Sequence, residues 1–235
     1  MYKGIYIAIS GAKLKQQHLD IFAQNIANSA TSGYKRERIS FKDFIVPSDN
    51  KPPLTKDGRV MTEVSEVVTD YSSGGLVRTG NPLDLAISGK GFFALEDNRY
   101  TRNGQFQISS EGDLETEEGI KVLGDGGPIT VQGSDIEIST SGEILVDGIS
   151  IGSLKVVDFN NKEALTKING TMFKTDQAPQ ELDADISQGY LEASNVEVVK
   201  EMVQMITALR EFESYQKMIH AFDEATSKTV NEMGR

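Results

Sequence analysis

The sequence predicts an α+β protein in which long N- and C-terminal helices pair as a coiled coil. An all-β middle domain, barrel- or sandwich-like, is inserted between them. Three observations predict this plan. Eleven largely apolar positions from Val198 to Met233 recur at a mean spacing of 3.5 residues, the coiled-coil period. A second apolar stripe occupies residues 3–29. Between them, residues 80–170 hold 14 of the 22 Gly among short β-rich runs without a helical period.

In chain order, the first helix carries Ile5, Ile9, Ala12, Leu19, Phe22 and Ile26 on one face, and Ser29 to Gly33 ends it with turn-forming residues. Residues 37–79 read as an extended connector marked by Pro47, Pro52, Pro53 and the turn signal Asp57-Gly58. Candidate strands in the β domain are Leu83–Ile87, Phe92–Leu95, Gln105–Ile108, Ile129–Val131, Ile136–Ile138, Ile144–Val146 and Leu154–Phe159. Asn103-Gly104, Asp125-Gly126 and Asp147-Gly148 are the tight-turn signals between them. Residues 171–189 form a second connector. The last helix opens at Ser194, which with Glu197 fits a capping box. Its stripe is Val198, Met202, Met205, Leu209, Phe212, Tyr215, Ile219, Phe222, Thr226, Thr229 and Met233. The expected domains are therefore a helical one (1–36 and 190–235), the connectors, and a β domain (80–170). A helix of that length spans about 55–60 Å and cannot bury its stripe alone.

The net charge of −11 argues against nucleic acid as a partner. Residues 1–46 sum to +4, residues 47–188 to −12 and residues 189–235 to −3, so the two ends attract each other weakly. The chain has no Cys, which excludes disulfides, thiolate metal sites and a cysteine nucleophile. No run of 18 apolar residues is present to insert into a membrane, and the N-terminus lacks the pattern of a secretory signal.

No constellation carries chemistry. His18 and His220 read as helix-surface or interface residues. Gly89-Lys90-Gly91-Phe92-Phe93-Ala94 fits a loose dinucleotide loop, but a strand follows where a phosphate-holding helix is needed. Asp183 with Asp185, and Glu115 with Glu117 and Glu118, lack a calcium-loop pattern and read as solvated surface. Asp113 and Asp158 have no partner carboxylate legible in the sequence. The expectation is no catalytic residue, no cofactor, no metal and no small-molecule substrate.

Four blocks carry a resemblance. Residues 26–36, with Asn28, Thr31, Gly33 and Tyr34, resemble an N-terminal signature of bacterial flagellar rod and hook proteins. Residues 79–93, with Asn81, Pro82, Leu83, Asp84, Gly89, Gly91, Phe92 and Phe93, resemble that family's central block, and Tyr100 to Phe106 continues it. Residues 189–196, ending in Ser194, Asn195 and Val196, are similar to its junction before the last helix. Gly124 to Val131 is most like the proximal-rod branch. The departures are Ile26 for Leu and Tyr34 for Phe.

The resemblance implies a non-enzymatic subunit of the basal-body rod, assembling helically to transmit torque from motor to hook across the periplasm. It implies other rod subunits, further copies of itself and the flagellar type III export apparatus as partners, and export without a cleaved signal. The helix stripes are the expected assembly surfaces, ordering on assembly. The alternatives are a distal-rod or other axial protein and, from another class, a secreted hydrolase or glycan-binding protein using an acidic cleft in the β domain.

Overall fold

The computed structural model describes residues 2–45, 60–133 and 135–233, so Pro47, Pro52, Pro53 and Asp57-Gly58 lie outside the described residues. The chain forms two units, Met1–Ala27 with Glu37–Asp70 and Glu197–Arg235, and Asn28–Arg36 with Tyr71–Val196.

The first unit holds two helices, α1 (Tyr2–Ala27) and α2 (Val198–Met233), and a hairpin of β1 (Glu37–Ile45) and β2 (Val60–Thr69). Neither helix contains Pro, so each backbone N–H beyond the first turn finds its acceptor within the helix. The helices run antiparallel: Gly4 faces Phe222, Gly11 faces Tyr215, Lys15 pairs with Glu211, and Asn25 meets Glu201. The hairpin strands pair from Glu37↔Thr69 to Ile45↔Val60 with a bulge at Ser40/Phe41. Residues read as a connector thus pair with each other. α2 starts at Val198, not Ser194, and Ser194 Oγ instead accepts from Val196 N at 3.3 Å in a local turn.

Along α2 the covered positions are Val198, Glu201, Met205, Ala208, Phe212, Tyr215, Ile219, Phe222 and Thr226, alternating by three and four. The predicted period is present, but its phase differs at two positions. Met202 and Leu209 are 47% and 46% exposed, and the neighbouring Glu201 and Ala208 are buried in their place. Hydrophobicity ranks Met above Glu, but Asn25 supplies a partner for the Glu201 carboxylate, and that decides which side turns inward.

The second unit is built on a six-stranded antiparallel sheet. Its spatial order is Thr166–Asn169, Met172–Lys174, Arg99–Thr101, Phe92–Leu95, Val156–Asp158 and Gln180–Glu181. Among the described residues its two edge strands do not pair with each other, so the sheet is open, not a closed barrel. Phe92–Leu95 is buried on both faces. Phe93 and Leu95 enter a core with Leu85, Phe106, Leu114, Ile144 and Ile186, whereas Phe92 and Ala94 enter a second core with Tyr100, Val157, Phe159 and Phe173. Side-chain alternation along one strand therefore feeds two cores.

Smaller ladders surround this sheet. Leu85–Ser88 pairs with Asp185–Gln188, Leu76–Arg78 with Tyr190–Glu192, and Phe106–Ile108 with Leu114–Thr116. Ile136–Ile138, Glu143–Val146 and Ile149–Ser153 form a meander. Residues 171–189 accordingly belong to the β unit, because their three strands take part in four of its ladders. Asp147-Gly148 makes the expected hairpin turn, with φ of 51° and 78°. Asn103-Gly104 joins strands of different sheets; a Cβ at Gly104 would stand 1.6 Å from Leu85 O, so close approach explains that glycine. Ile129 and Val131 are buried, but only a single bridge, Asp113↔Thr130, forms there. The last candidate strand shortens to Val156–Asp158.

Candidate functional site

Within the helix pair, size complementarity sets the closest approach. A Cβ at Gly4 would lie 2.8 Å from Phe222 Cζ, and one at Gly11 would lie 2.6 Å from Tyr215 Cε1. The rings of α2 thus sit over the glycines of α1, as ridges sit in grooves. At the other end, Asn25 is fully buried and Glu201 is 2% exposed. Asn25 Nδ2 donates to Glu37 O at 2.9 Å and to Glu201 Oε2 at 3.2 Å, while Asn25 Oδ1 accepts from Glu37 N at 3.0 Å. One side chain thereby ties α1 to α2 and to the start of β1.

Between these ends lies a groove of about 430 Å³ lined by Lys15, His18, Phe22, Arg38, Val203 and Glu211, among others. His18 packs edge-on against Phe22 at 5.7 Å. Burial, followed by the nearby Lys15 charge, holds the imidazole below its ordinary range against the opposing pull of Glu211.

The predicted stripe residues divide between covered and open faces. Ile5, Ala12, Leu19, Phe22, Ile26, Val198, Met205, Phe212, Tyr215, Ile219 and Phe222 are buried or half-buried. Ile9, Met202 and Leu209 are exposed. On α2 the last two join Val199, Val203 and Ile206 in an apolar face, with Val199 76% and Val203 59% exposed. On α1, Tyr6 and Ile9, three residues apart, share a second, smaller one, with Ile7 exposed to one side of it. The antiparallel register puts these faces toward opposite ends of the pair, about 20 Å apart at 1.5 Å per residue. An apolar face of several large side chains on one helix is the kind of surface that marks an interaction site.

In the β unit, the residues that carry the resemblance converge. The Asn81 side chain donates to Asp84 Oδ1 at 3.0 Å, and Gly189 N donates to Asp84 O at 2.8 Å. Pro82 O accepts from Gln188 Nε2 at 3.0 Å, and Leu83 packs on the larger core. Gly91 leaves room for Val156, whose Cγ1 would lie 2.8 Å from an added Cβ. Gly89 O accepts from Arg102 Nη2 at 2.6 Å. Asn28 O and Thr31 O close the turns after α1 by accepting from Thr31 N and Tyr34 N. Gly33 has φ of 69°, and its N donates to Glu192 O at 2.7 Å; an added Cβ would meet Asn103 N at 2.3 Å. The Tyr34 ring is buried beneath Lys167 Nζ at 3.9 Å. Asn195 Oδ1 accepts from Arg36 N at 2.7 Å.

Among these residues is an ionic node that sequence reasoning missed. Lys35 and Glu192 side chains are each 1% exposed and Arg102 is 3%. Glu192 Oε1 accepts from Lys35 Nζ at 2.7 Å and from Gly74 N at 2.9 Å, and Oε2 accepts from Arg102 Nη1 at 3.2 Å. Lys35 also donates to Ser72 O, and the Arg102 guanidinium lies over the Phe92 ring at 5.4 Å. Burial pushes the Arg102 pKa down, and the Glu192 charge opposes the shift. Lys35, Arg102 and Glu192 all lie inside the family-like blocks, yet no spacing rule pairs residues 157 positions apart.

Three acidic residues of the β unit, Asp125, Glu181 and Asp183, line a depression of about 240 Å³. All three are exposed, and Glu181 is paired with Lys155 at 2.9 Å. Asp113, whose pKa is lowered by hydrogen bonds from Lys121 and Thr130, is buried and paired with the partly exposed Lys121 at 2.6 Å. Gly89 and Gly91 precede a strand, as the sequence implies. Among the described residues, no helix is long and apolar enough to cross a membrane.

The antiparallel helix pair thus leaves apolar side chains of both helices open, while the comparisons with known proteins set its class, that of structural proteins. Residues 5–35 match the flagella basal body rod protein profile, residues 86–146 the flagellar hook protein FlgE/F/G D1 domain, and residues 187–233 the flagellar basal body rod FlgEFG protein C-terminal profile. The flagellar basal-body rod protein FlgF of Caulobacter vibrioides is 34% identical over 248 positions, covering 100% of this chain and 99% of the relative. That of Rhizobium meliloti is 30% identical over 244 positions, with coverage of 100% and 99%. The flagellar basal-body rod protein FlgG of Bacillus subtilis is 31% identical over 264 positions, with coverage of 98% and 99%. The chain belongs to the flagellar basal-body rod protein family. It is a structural rod protein, not an enzyme.

Proposed function

We propose that this chain is the proximal-rod subunit, of the FlgF type, and that its helix pair works as an antiparallel coiled coil joining it to other rod subunits and to further copies of itself. The observation that carries the joining role is the pair of unlike apolar faces, Val199/Met202/Val203/Ile206/Leu209 on α2 and the smaller Tyr6/Ile9 on α1. Unlike surfaces associate head to tail, which propagates a tube without closing it. The alternation of three and four along α2 supports the coiled-coil reading. Torque is then carried by apolar helix contacts. Delivery through the flagellar type III export apparatus without a cleaved signal belongs to the same reading.

The FlgF assignment is supported by how compactly the chain matches those relatives. Both FlgF relatives match 100% of this chain, in 248 and 244 aligned positions, whereas the Bacillus and Caulobacter FlgG comparisons cover 98% and 94% of it in 264 and 252. Expression in strains lacking FlgF or FlgG tests it: motility should return only in the first, and rescue of the second alone would make this a distal-rod protein. Leu209→Asp tests the joining role. It charges an open face, so it should block incorporation into basal bodies while leaving the helix pair folded; Phe212→Asp should also unfold the pair. Normal incorporation of the Leu209 variant would sink the reading.

A further inference from the structure

The Lys35–Glu192–Arg102 node joins parts of the β unit that lie far apart in the chain. Lys35 and Gly33 precede every other segment of that unit except residues 28–32, and Glu192 lies four residues before its end. Arg102 follows the central strand pair, and Gly74 precedes the unit's first strand. All three charged groups are nearly solvent-free. Within the node, one carboxylate serves two cations, and its Oε1 also receives the Gly74 amide.

We infer that Glu192 is a completion latch: the β unit acquires its native core only when the C-terminal junction arrives to bridge Lys35 and Arg102. A chain that emerges from its N-terminus first presents both cations before this carboxylate exists. Closing the second core at that stage would bury the Arg102 guanidinium over Phe92 without the carboxylate that bridges it to Lys35. Arg102 would face the carbonyl oxygens of Ile87 and Gly89 with no Glu192 opposite. Leaving a buried charge uncompensated is among the costliest defects a fold can carry. Arg102 is also coupled directly to the second core, because its guanidinium covers Phe92. The latch thus keeps a partial chain open and makes closure of the β unit a single late event. It concerns folding within one unit and stands apart from the assembly reading.

Two measurements on the full chain test this. In pulse-labelled refolding, the amides of Phe92–Leu95 should gain protection in the same kinetic phase as those of Tyr190–Glu192; protection at Phe92–Leu95 arriving tenfold earlier would overturn the latch. At equilibrium, Glu192→Gln should speed exchange across Phe92–Leu95 and Met172–Lys174 by ~100-fold or more, the scale expected for an uncompensated buried charge. Exchange within threefold of wild type, or loss confined to residues beside 192, would refute it. If Glu192→Gln does not fold at all, the apolar triple variant Lys35→Met, Arg102→Met, Glu192→Met decides the cause. Recovered protection identifies the missing counter-charge as the defect, and equal failure of the triple variant contradicts the inference.

Discussion

Asn25 and Glu201 put a polar layer into the helix pair where apolar side chains could have gone. Their buried hydrogen bonds fix which turn of α1 meets which turn of α2, since any one-turn slip would leave both without each other. At the opposite end, register is set by size: Gly4 and Gly11 admit Phe222 and Tyr215. Gly11→Leu should therefore drive a side chain into Tyr215 and cost about 1–3 kcal/mol in helicity-monitored unfolding. The same change at the exposed Ser10 should stay within about 0.5 kcal/mol. Equal effects at the two positions would show that the pair tolerates a looser fit. Neither glycine stands out in the sequence, because a small residue on an apolar stripe looks like a gap until the ring above it is known.

The helices themselves are legible in the sequence because a long stretch at a 3.5 spacing leaves little room for another period. Their phase is less so. Met202 and Leu209 outrank Glu201 and Ala208 by hydrophobicity, and a stripe drawn by apolarity alone takes the wrong neighbour wherever a buried carboxylate has a partner across the interface. The same interface predicts a pH response. His18 is faced by Lys15 on its own helix, Glu211 on α2 and Arg38 on β1. Its folded pKa is depressed, so its contribution to stability is present above the unfolded value of about 6.5 and is lost as pH falls through the folded one. Thermal unfolding of the helices at pH 7.5 and 5.5 should show a loss on acidification that His18→Gln reduces; an unchanged slope in that variant would assign the loss elsewhere. Strands are read less completely than helices. Tyr190–Glu192 and Arg99–Thr101 are three residues long and carry charges, so they display no period to detect.

At the scale of the whole molecule, the four family-like blocks appear in family order, and that order makes the family legible in the amino-acid sequence. What those blocks do is not legible there. Gly33, Asp84, Gly91 and Phe92 serve the interior of the β unit, and Asn81 and Asn195 tie its turns by hydrogen bonds to Asp84 and to the Arg36 amide. The open apolar faces of the helices lie outside the blocks almost entirely. The short motifs and the proposed joining surface thus fall on different residues, because the first serve one unit's own fold and the second depends on which helix faces remain uncovered. Sequence pattern cannot separate them, since the contacts that bury a motif residue come from segments up to 159 positions away.

The central claim is that the open face of α2 meets another rod subunit. It is tested most directly by placing a photo-crosslinking residue at Ile206 or Leu209 in the full chain and isolating assembled basal bodies after irradiation. The account predicts covalent adducts to neighbouring rod subunits or to a second copy of this chain from both positions. Basal bodies that contain the protein but yield no adduct from either position would contradict it.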